Sequence, residues 1–198
     1  MSPFESRDDT PWPLTESRRL ADYRLFELWR EARTNPRTGE PHGFFVVRTT
    51  DWVNIIALTD DDEVVLVRQL RAGTGEHTIE IPGGMVDPGE DPGTAALREL
   101  VEETGYVAET CVPIGVVHPN PALFSNRCHT FLASGARRVK EPELDPGEAI
   151  LVATVPRARL RELIASGAIT HALVVAAVFH LERHAEGGHL DAPPPGKG

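Results

Sequence analysis

Two Val/Ile-rich runs, Val53 to Thr59 and Glu63 to Leu70, flank Asp60-Asp61-Asp62, and no other feature constrains the fold as tightly. β-Branched residues suit a pleated, buried surface, while three successive aspartates favour a turn, so the segment predicts a strand–turn–strand. The same pattern recurs along the chain. Tyr23 to Trp29 and Gly43 to Arg48 read as strands parted by Asn35-Pro36-Arg37-Thr38-Gly39, and His77 to Ile81 as a short strand ending at Pro82-Gly83-Gly84. Val112 to Val117, His129 to Ala133 and Ala149 to Val155 supply three more. Helices are expected over Pro92 to Thr104, Pro156 to Ser166 and Thr170 to His184. Hairpins dominate, which predicts an α/β (α+β) domain around a mixed or mostly antiparallel sheet.

A chain of 198 residues suits one well-buried domain. The expected division is a loose arm over 1–20, an N-terminal antiparallel β-segment over 21–50, the main domain over 51–186 and a disordered Gly/Pro tail over 187–198. Lys plus Arg total 20 against 30 for Asp plus Glu, a net charge of −10. Such a surface repels a phosphate backbone, and no basic stripe offsets it, so nucleic acid is excluded as a partner. Two cysteines, Cys111 and Cys128, make neither a disulfide framework nor a zinc ligand set and read as free thiols. The N-terminal residues lack a signal-peptide core and the longest apolar run, Ala172 to Phe179, is too short for a membrane span, so a cytoplasmic protein without membrane contact is expected.

The chemistry concentrates on one helix. Asp91 can cap it, Pro92 suits its first turn and Gly105 stands where helices stop. At about 100° per residue, Glu99, Glu102 and Glu103 share one face, while Leu97, Leu100 and Val101 point toward a core. Like charges at these spacings weaken a helix unless a cation sits among the oxygens, and Mg²⁺ and Mn²⁺ take such ligands.

The surrounding residues are Gly84, Glu90, Arg98-Glu99-Leu100, Glu102-Glu103 and Gly105-Tyr106. This pattern resembles the Nudix box of hydrolases that cleave nucleoside diphosphates linked to another moiety. All seven fixed positions match; Tyr106 replaces the usual aliphatic residue. The resemblance implies the Nudix fold, an α/β/α sandwich with a mixed β-sheet. It further implies that Glu99, Glu102, Glu103 and the Gly83 carbonyl hold Mg²⁺ (or Mn²⁺) over a pyrophosphate, with Glu90 and Arg98 paired beside them away from the metal side.

Pro121, sixteen residues after Gly105, resembles the ADP-ribose pyrophosphatase branch, as do Trp52-Val53-Asn54, Val67-Arg68-Gln69-Leu70-Arg71 and Glu80-Ile81-Pro82-Gly83-Gly84. The loop itself, Asn120-Pro121-Ala122-Leu123-Phe124-Ser125-Asn126-Arg127-Cys128-His129, departs from that branch and is similar to hydrolases of nucleoside diphosphate sugars more broadly. Substrate contacts are then expected from Arg71 first, Arg68 second, and from Pro121, Asn126, Arg127 and His129. The general base is expected at Glu148, with Glu143 and Asp145 in reserve. The resemblance also implies a homodimer formed through the N-terminal strands. Phe44, Phe45 and Trp52 are expected in the core unless one stacks on a nucleobase. The expected reaction yields a nucleoside monophosphate and a sugar phosphate. The alternatives are a hydrolase of nucleoside triphosphates or dinucleoside polyphosphates, and a non-catalytic ligand sensor.

Overall fold

A strand, β1 (Leu14–Asp22), begins inside the stretch expected to be a loose arm. Its side chains are almost all exposed, so no apolar alternation announces it. Backbone pairing holds it: β1 runs antiparallel to β2 (Glu27–Thr34), from Leu14 opposite Arg33 to Asp22 opposite Glu27. The strand expected over Tyr23 to Trp29 is displaced for a related reason. Tyr23 to Phe26 form the connecting turn, with Arg24 at φ 64° and its N–H donating to Asp22 at 3.1 Å. β3 (Pro41–Arg48) completes a three-stranded antiparallel sheet in the order β1-β2-β3.

The computed structural model describes residues 10–144, 146, 147 and 149–187. The chain separates into two units, one ending at Thr49 but including Asn120–Asn126, the other formed by Thr50–Pro119 and the residues from Arg127 on. The Val47 N–H donates to the Leu123 carbonyl at 2.8 Å and the Ser125 N–H to the Val47 carbonyl at 3.1 Å. Asn120–Asn126 therefore leaves the 51–186 domain expected for it. Beyond Gly187, the expected tail lies outside the described residues.

The second unit continues with β4 (Trp52–Leu58), β5 (Glu63–Arg71), β6 (Glu76–Glu80), β7 (Gly83–Met85) and α1 (Pro92–Thr104). After them come β8 (Tyr106–Val107), β9 (Thr110–Val117), β10 (Cys128–Ser134), β11 (Arg137–Arg138) and β12 (Leu151–Pro156). α2 (Leu160–Ala165) and α3 (Ala172–Ala185) close it. The helix expected over Pro156 to Ser166 is split, because Arg157–Arg159 forms a 3₁₀ turn before α2.

The main sheet has the order β12-β5-β4-β10-β9, with β6 on β5 and β7 on β4; β4 and β10 are parallel and the remaining pairs antiparallel. Ile55, Ile56 and Ala57 are fully buried in succession because both faces of β4 are covered. Ile55 and Ala57 join Ala95, Ala96 and Leu100 of α1 on one face, and Ile56 joins Leu160 of α2 and Val174 and Val178 of α3 on the other. The unit is an α/β/α sandwich with a mixed sheet. Cys128 is buried and Cys111 partly so, and both are free thiols. Among the described residues no helix is long and apolar enough to cross a membrane.

Candidate active site

The ends of α1 are fixed by the residues the sequence marks. Asp91 accepts the N–H groups of Gly93 at 2.9 Å and Thr94 at 3.1 Å, and Gly105 adopts φ 72° while donating to the Val101 carbonyl at 2.9 Å. A side chain on Gly105 would also collide with the Lys140 carbonyl. With both ends set and Leu100 buried, the rotation of the helix is determined, and so is the direction of its carboxylates.

Glu103 is the deepest of them, only 4% exposed although it belongs to the acidic face. Its Oε2 accepts the Gly83 N–H at 3.0 Å, tying α1 to β7. Glu99 is pressed against the neighbouring glycine, since a Cβ on Gly84 would overlap its carboxylate. Arg98 lies among the rest. Its Nε and Nη2 donate to Glu90 Oε1 and Oε2, each at 3.0 Å, and Nη2 also donates to the Met85 carbonyl at 3.0 Å. The pairing with Glu90 follows expectation, but the guanidinium reaches further: Nη1 donates to Glu99 at 2.9 Å and to Glu102 at 3.1 Å. The expectation that Arg98 keeps off the metal side is thereby corrected, because one planar fork spans both sides of the helix face. The bonds from Arg98 and the Asp87 N–H hold the Glu90 carboxyl below the usual range. Arg98 in turn is driven further toward its charged form, by Glu90 foremost.

Three carboxylates bond this one guanidinium and Glu103 lies on the same helix, a surplus of hard oxygen donors that suits a divalent cation. Among the described residues no three His, Cys, Asp or Glu side chains already converge as a ligand set. Glu99 and Glu102 each meet Arg98 through one oxygen, Oε1 and Oε2 respectively, and each carboxylate has a second oxygen. The donor chemistry fits the ion.

A cleft of about 340 Å³ opens beside Gly83 and Gly84, with Trp52, Asn54, Arg71, Glu80 and His171 among its walls. Arg71, the expected first substrate contact, lies in the cleft and is engaged there by Glu80: Nε to Oε1 at 2.7 Å and Nη2 to Oε2 at 2.6 Å. Thr78 donates to the same Oε1 at 2.5 Å, and His171 Nε2 stands 3.8 Å from Oε2. Burial pushes the Glu80 carboxyl up, yet the bonds from Arg71 and Thr78 outweigh it and hold the group below the usual range.

The other expected residues scatter. Arg68 is exposed on β5 and not among the cleft residues. The Arg127 N–H donates to Asp51 Oδ1 at 2.8 Å and the His129 ring meets Asp51 Oδ2 at 2.9 Å, again outside the cleft lining. Pro121 and Asn126 belong to the N-terminal unit. Glu148 and Asp145 lie outside the described residues, while the Glu143 N–H donates to the Glu102 carbonyl at 2.8 Å. Phe45 is 58% exposed rather than in a core, because the three-stranded sheet leaves its side chain uncovered. Sequence reasoning did not single out Glu80, His171 or Asp51. The hairpin turn through Gly73-Thr74-Gly75 was the available signal for Glu80, since it returns β6 alongside Arg71.

Comparison with known proteins gives this arrangement its class. Residues 48–177 match the NUDIX domain model, and the chain belongs to that family. An ADP-ribose pyrophosphatase of Bacillus subtilis (strain 168) is 32% identical over 138 residues, spanning 69% of this chain and 75% of that protein. The methanol dehydrogenase activator of Bacillus methanolicus is 30% identical over the same length, again 69% of this chain and 75% of that one. The crystal structure of an ADP compounds hydrolase shares the fold, with a TM-score of 0.80 at 24% identity over 90% of this chain and 96% of that chain.

Proposed function

We propose that the chain hydrolyses the pyrophosphate bond of ADP-ribose or a related nucleoside diphosphate sugar, releasing a nucleoside monophosphate and a sugar phosphate. One observation carries the reading: Glu103 and Glu99 are fixed against Gly83 and Gly84, where the helix of carboxylates meets the cleft. The similarity to an ADP-ribose pyrophosphatase supports the substrate class.

Glu99, Glu102, Glu103 and the Gly83 carbonyl are the groups that would hold Mg²⁺ or Mn²⁺. A bound divalent ion neutralises phosphate oxygens, acidifies water and orients a leaving group. The protein's own part is positional. Gly83 holds Glu103, Gly84 limits Glu99, and Glu90 anchors Arg98, so a change in Glu99 or Glu102 is referred to a fixed guanidinium. Arg71 presents its guanidinium to phosphate or sugar oxygens in the cleft. Arg68, Pro121, Asn126, Arg127 and His129 stay as further proposed substrate contacts, although none of them lines that cleft. Glu148 is the proposed base, ahead of Glu143 and Asp145, because the box glutamates are committed to metal. The assembly is a homodimer built on the N-terminal sheet, working in the cytoplasm.

A hydrolysis panel tests the reading. ADP-ribose, ADP-glucose, GDP-mannose, UDP-sugars and ATP are each incubated with Mg²⁺ or Mn²⁺, and the products are resolved by chromatography. Turnover of a diphosphate sugar, strongest with an ADP-linked one, is expected; turnover of ATP alone overturns the reading. For the base, Glu148→Gln is compared with Asp145→Asn, and impairment of only the second removes Glu148 from the role.

A further inference from the structure

We infer that Glu80 is a positioning residue which sets the plane of the Arg71 guanidinium in the cleft, with Thr78 holding Glu80 in turn. The inference rests on the functional reading above in one respect, that Arg71 meets substrate. The side chains differ sharply in exposure: Arg71 is 41% exposed and Glu80 only 4%. Both residues line the cleft, but the exposed surface there is the guanidinium's, while the Glu80 carboxylate lies almost wholly beneath it.

The carboxylate is also already engaged. Oε1 accepts from Arg71 Nε and from the Thr78 hydroxyl, and Oε2 accepts from Arg71 Nη2. Two parallel bonds fix the guanidinium plane as well as its location, which a single contact does not achieve. The hydroxyl bond stops the carboxylate from rotating about its own axis. His171 closes the remaining side. Its Nδ1 accepts the Leu173 N–H at 3.3 Å, so the ring proton sits on Nε2, the nitrogen 3.8 Å from Glu80 Oε2. Loop motion has little scope to disturb this set, because Arg71, Thr78 and Glu80 lie on the paired strands β5 and β6.

Glu80 therefore acts on a substrate only through Arg71, and a double-mutant cycle reads that dependence. Glu80→Gln keeps the shape but turns one acceptor oxygen into an NH2 donor, so it cannot accept both Arg71 N–H groups, and it is expected to lower kcat/KM for ADP-ribose roughly tenfold or more, mainly in kcat. In an Arg71→Ala background the same change is expected to cost less than about twofold. A loss that persists undiminished in that background overturns the inference. Thr78→Val follows the same cycle with a smaller loss and serves if Glu80→Gln does not fold. A second readout needs no turnover: the Arg71 Nε–H signal in ¹⁵N NMR, assigned with Arg71→Lys, should be sharp and slow to exchange in the unaltered protein and lost in Glu80→Gln. An Nε–H signal unchanged by Glu80→Gln overturns the inference. If the unaltered protein hydrolyses no diphosphate sugar, the functional reading fails, and the NMR comparison alone decides the role of Glu80.

Discussion

Gly83 donates its N–H to the Glu103 carboxylate at 3.0 Å, joining a short strand to the last turn of the acidic helix. Glu103→Gln retains an oxygen for that bond but removes the negative charge. The expected result is a kcat lowered by at least ~10³, equivalent to about 4 kcal/mol of transition-state stabilisation, with a melting temperature close to the unaltered protein. Saturation kinetics with Mg²⁺ and a thermal melt check it. Near-full turnover would remove Glu103 from the proposed metal set.

The two cleft glycines should fail in different ways when replaced by alanine. A Cβ on Gly83 runs into the Val53 carbonyl and the Asn54 Cα, which are backbone of β4 and cannot yield. Gly83→Ala is therefore expected to destabilise the fold by about 1–3 kcal/mol. The atoms nearest a Cβ on Gly84 are those of the Glu99 carboxylate, the end of a side chain that can swing away. Gly84→Ala should melt within ~1 kcal/mol of the unaltered protein yet lose roughly tenfold or more in kcat. Parallel melts and kinetics separate the two, and a fully active Gly84→Ala means that the position of Glu99 does not matter.

The contrast between these glycines and the helix ends shows what a sequence discloses. Asp91, Pro92 and Gly105 act on their own neighbours, so the limits of α1 agree with expectation. The central strands are legible for the same reason, since Ile55, Ile56 and Val64 to Val67 must be buried wherever they lie. β1 is not legible: its pairing with β2 is made by backbone groups while its side chains face solvent. In the site, the Glu90–Arg98 pair follows from the box spacing, but the burial of Glu103 depends on β7 arriving above it. The Glu80–Arg71 pair depends on hairpin register, signalled by the Gly73-Thr74-Gly75 turn rather than by either residue itself.

Glu80 also predicts a pH dependence. Its folded carboxyl sits below the ordinary glutamate value of 4.5, so the unfolded chain binds the proton more readily. The stabilisation is complete above pH 4.5 and disappears as pH falls through the lower folded value. Glu80→Gln lacks this contribution. Its melting temperature should lie below that of the unaltered protein at pH 7, and the gap should close as pH falls below 4.5. A gap that stays constant over that range shows that the ion pair contributes nothing to stability.

His180 predicts acid sensitivity at a higher pH. It is 5% exposed on α3, neither ring nitrogen has a hydrogen-bond partner, and its ring lies so close to Gly115 that a Cβ there would overlap it. Burial lowers its pKa from the ordinary 6.5, and the charge of Arg183 lowers it further. The folded protein holds the ring neutral, whereas the unfolded chain takes up a proton below pH 6.5. Stability is thus complete above 6.5 and declines as pH falls below it, levelling off once the folded ring also protonates. His180→Leu removes both the titration and two unpaired polar atoms, each costing ~1–3 kcal/mol when buried. The variant should melt at or above the unaltered protein at pH 7, and its advantage should grow as pH falls to 5. Denaturant titrations of both proteins across that range give the measurement. A variant less stable by the same amount at every pH would show that the ring is retained for its packing on Gly115.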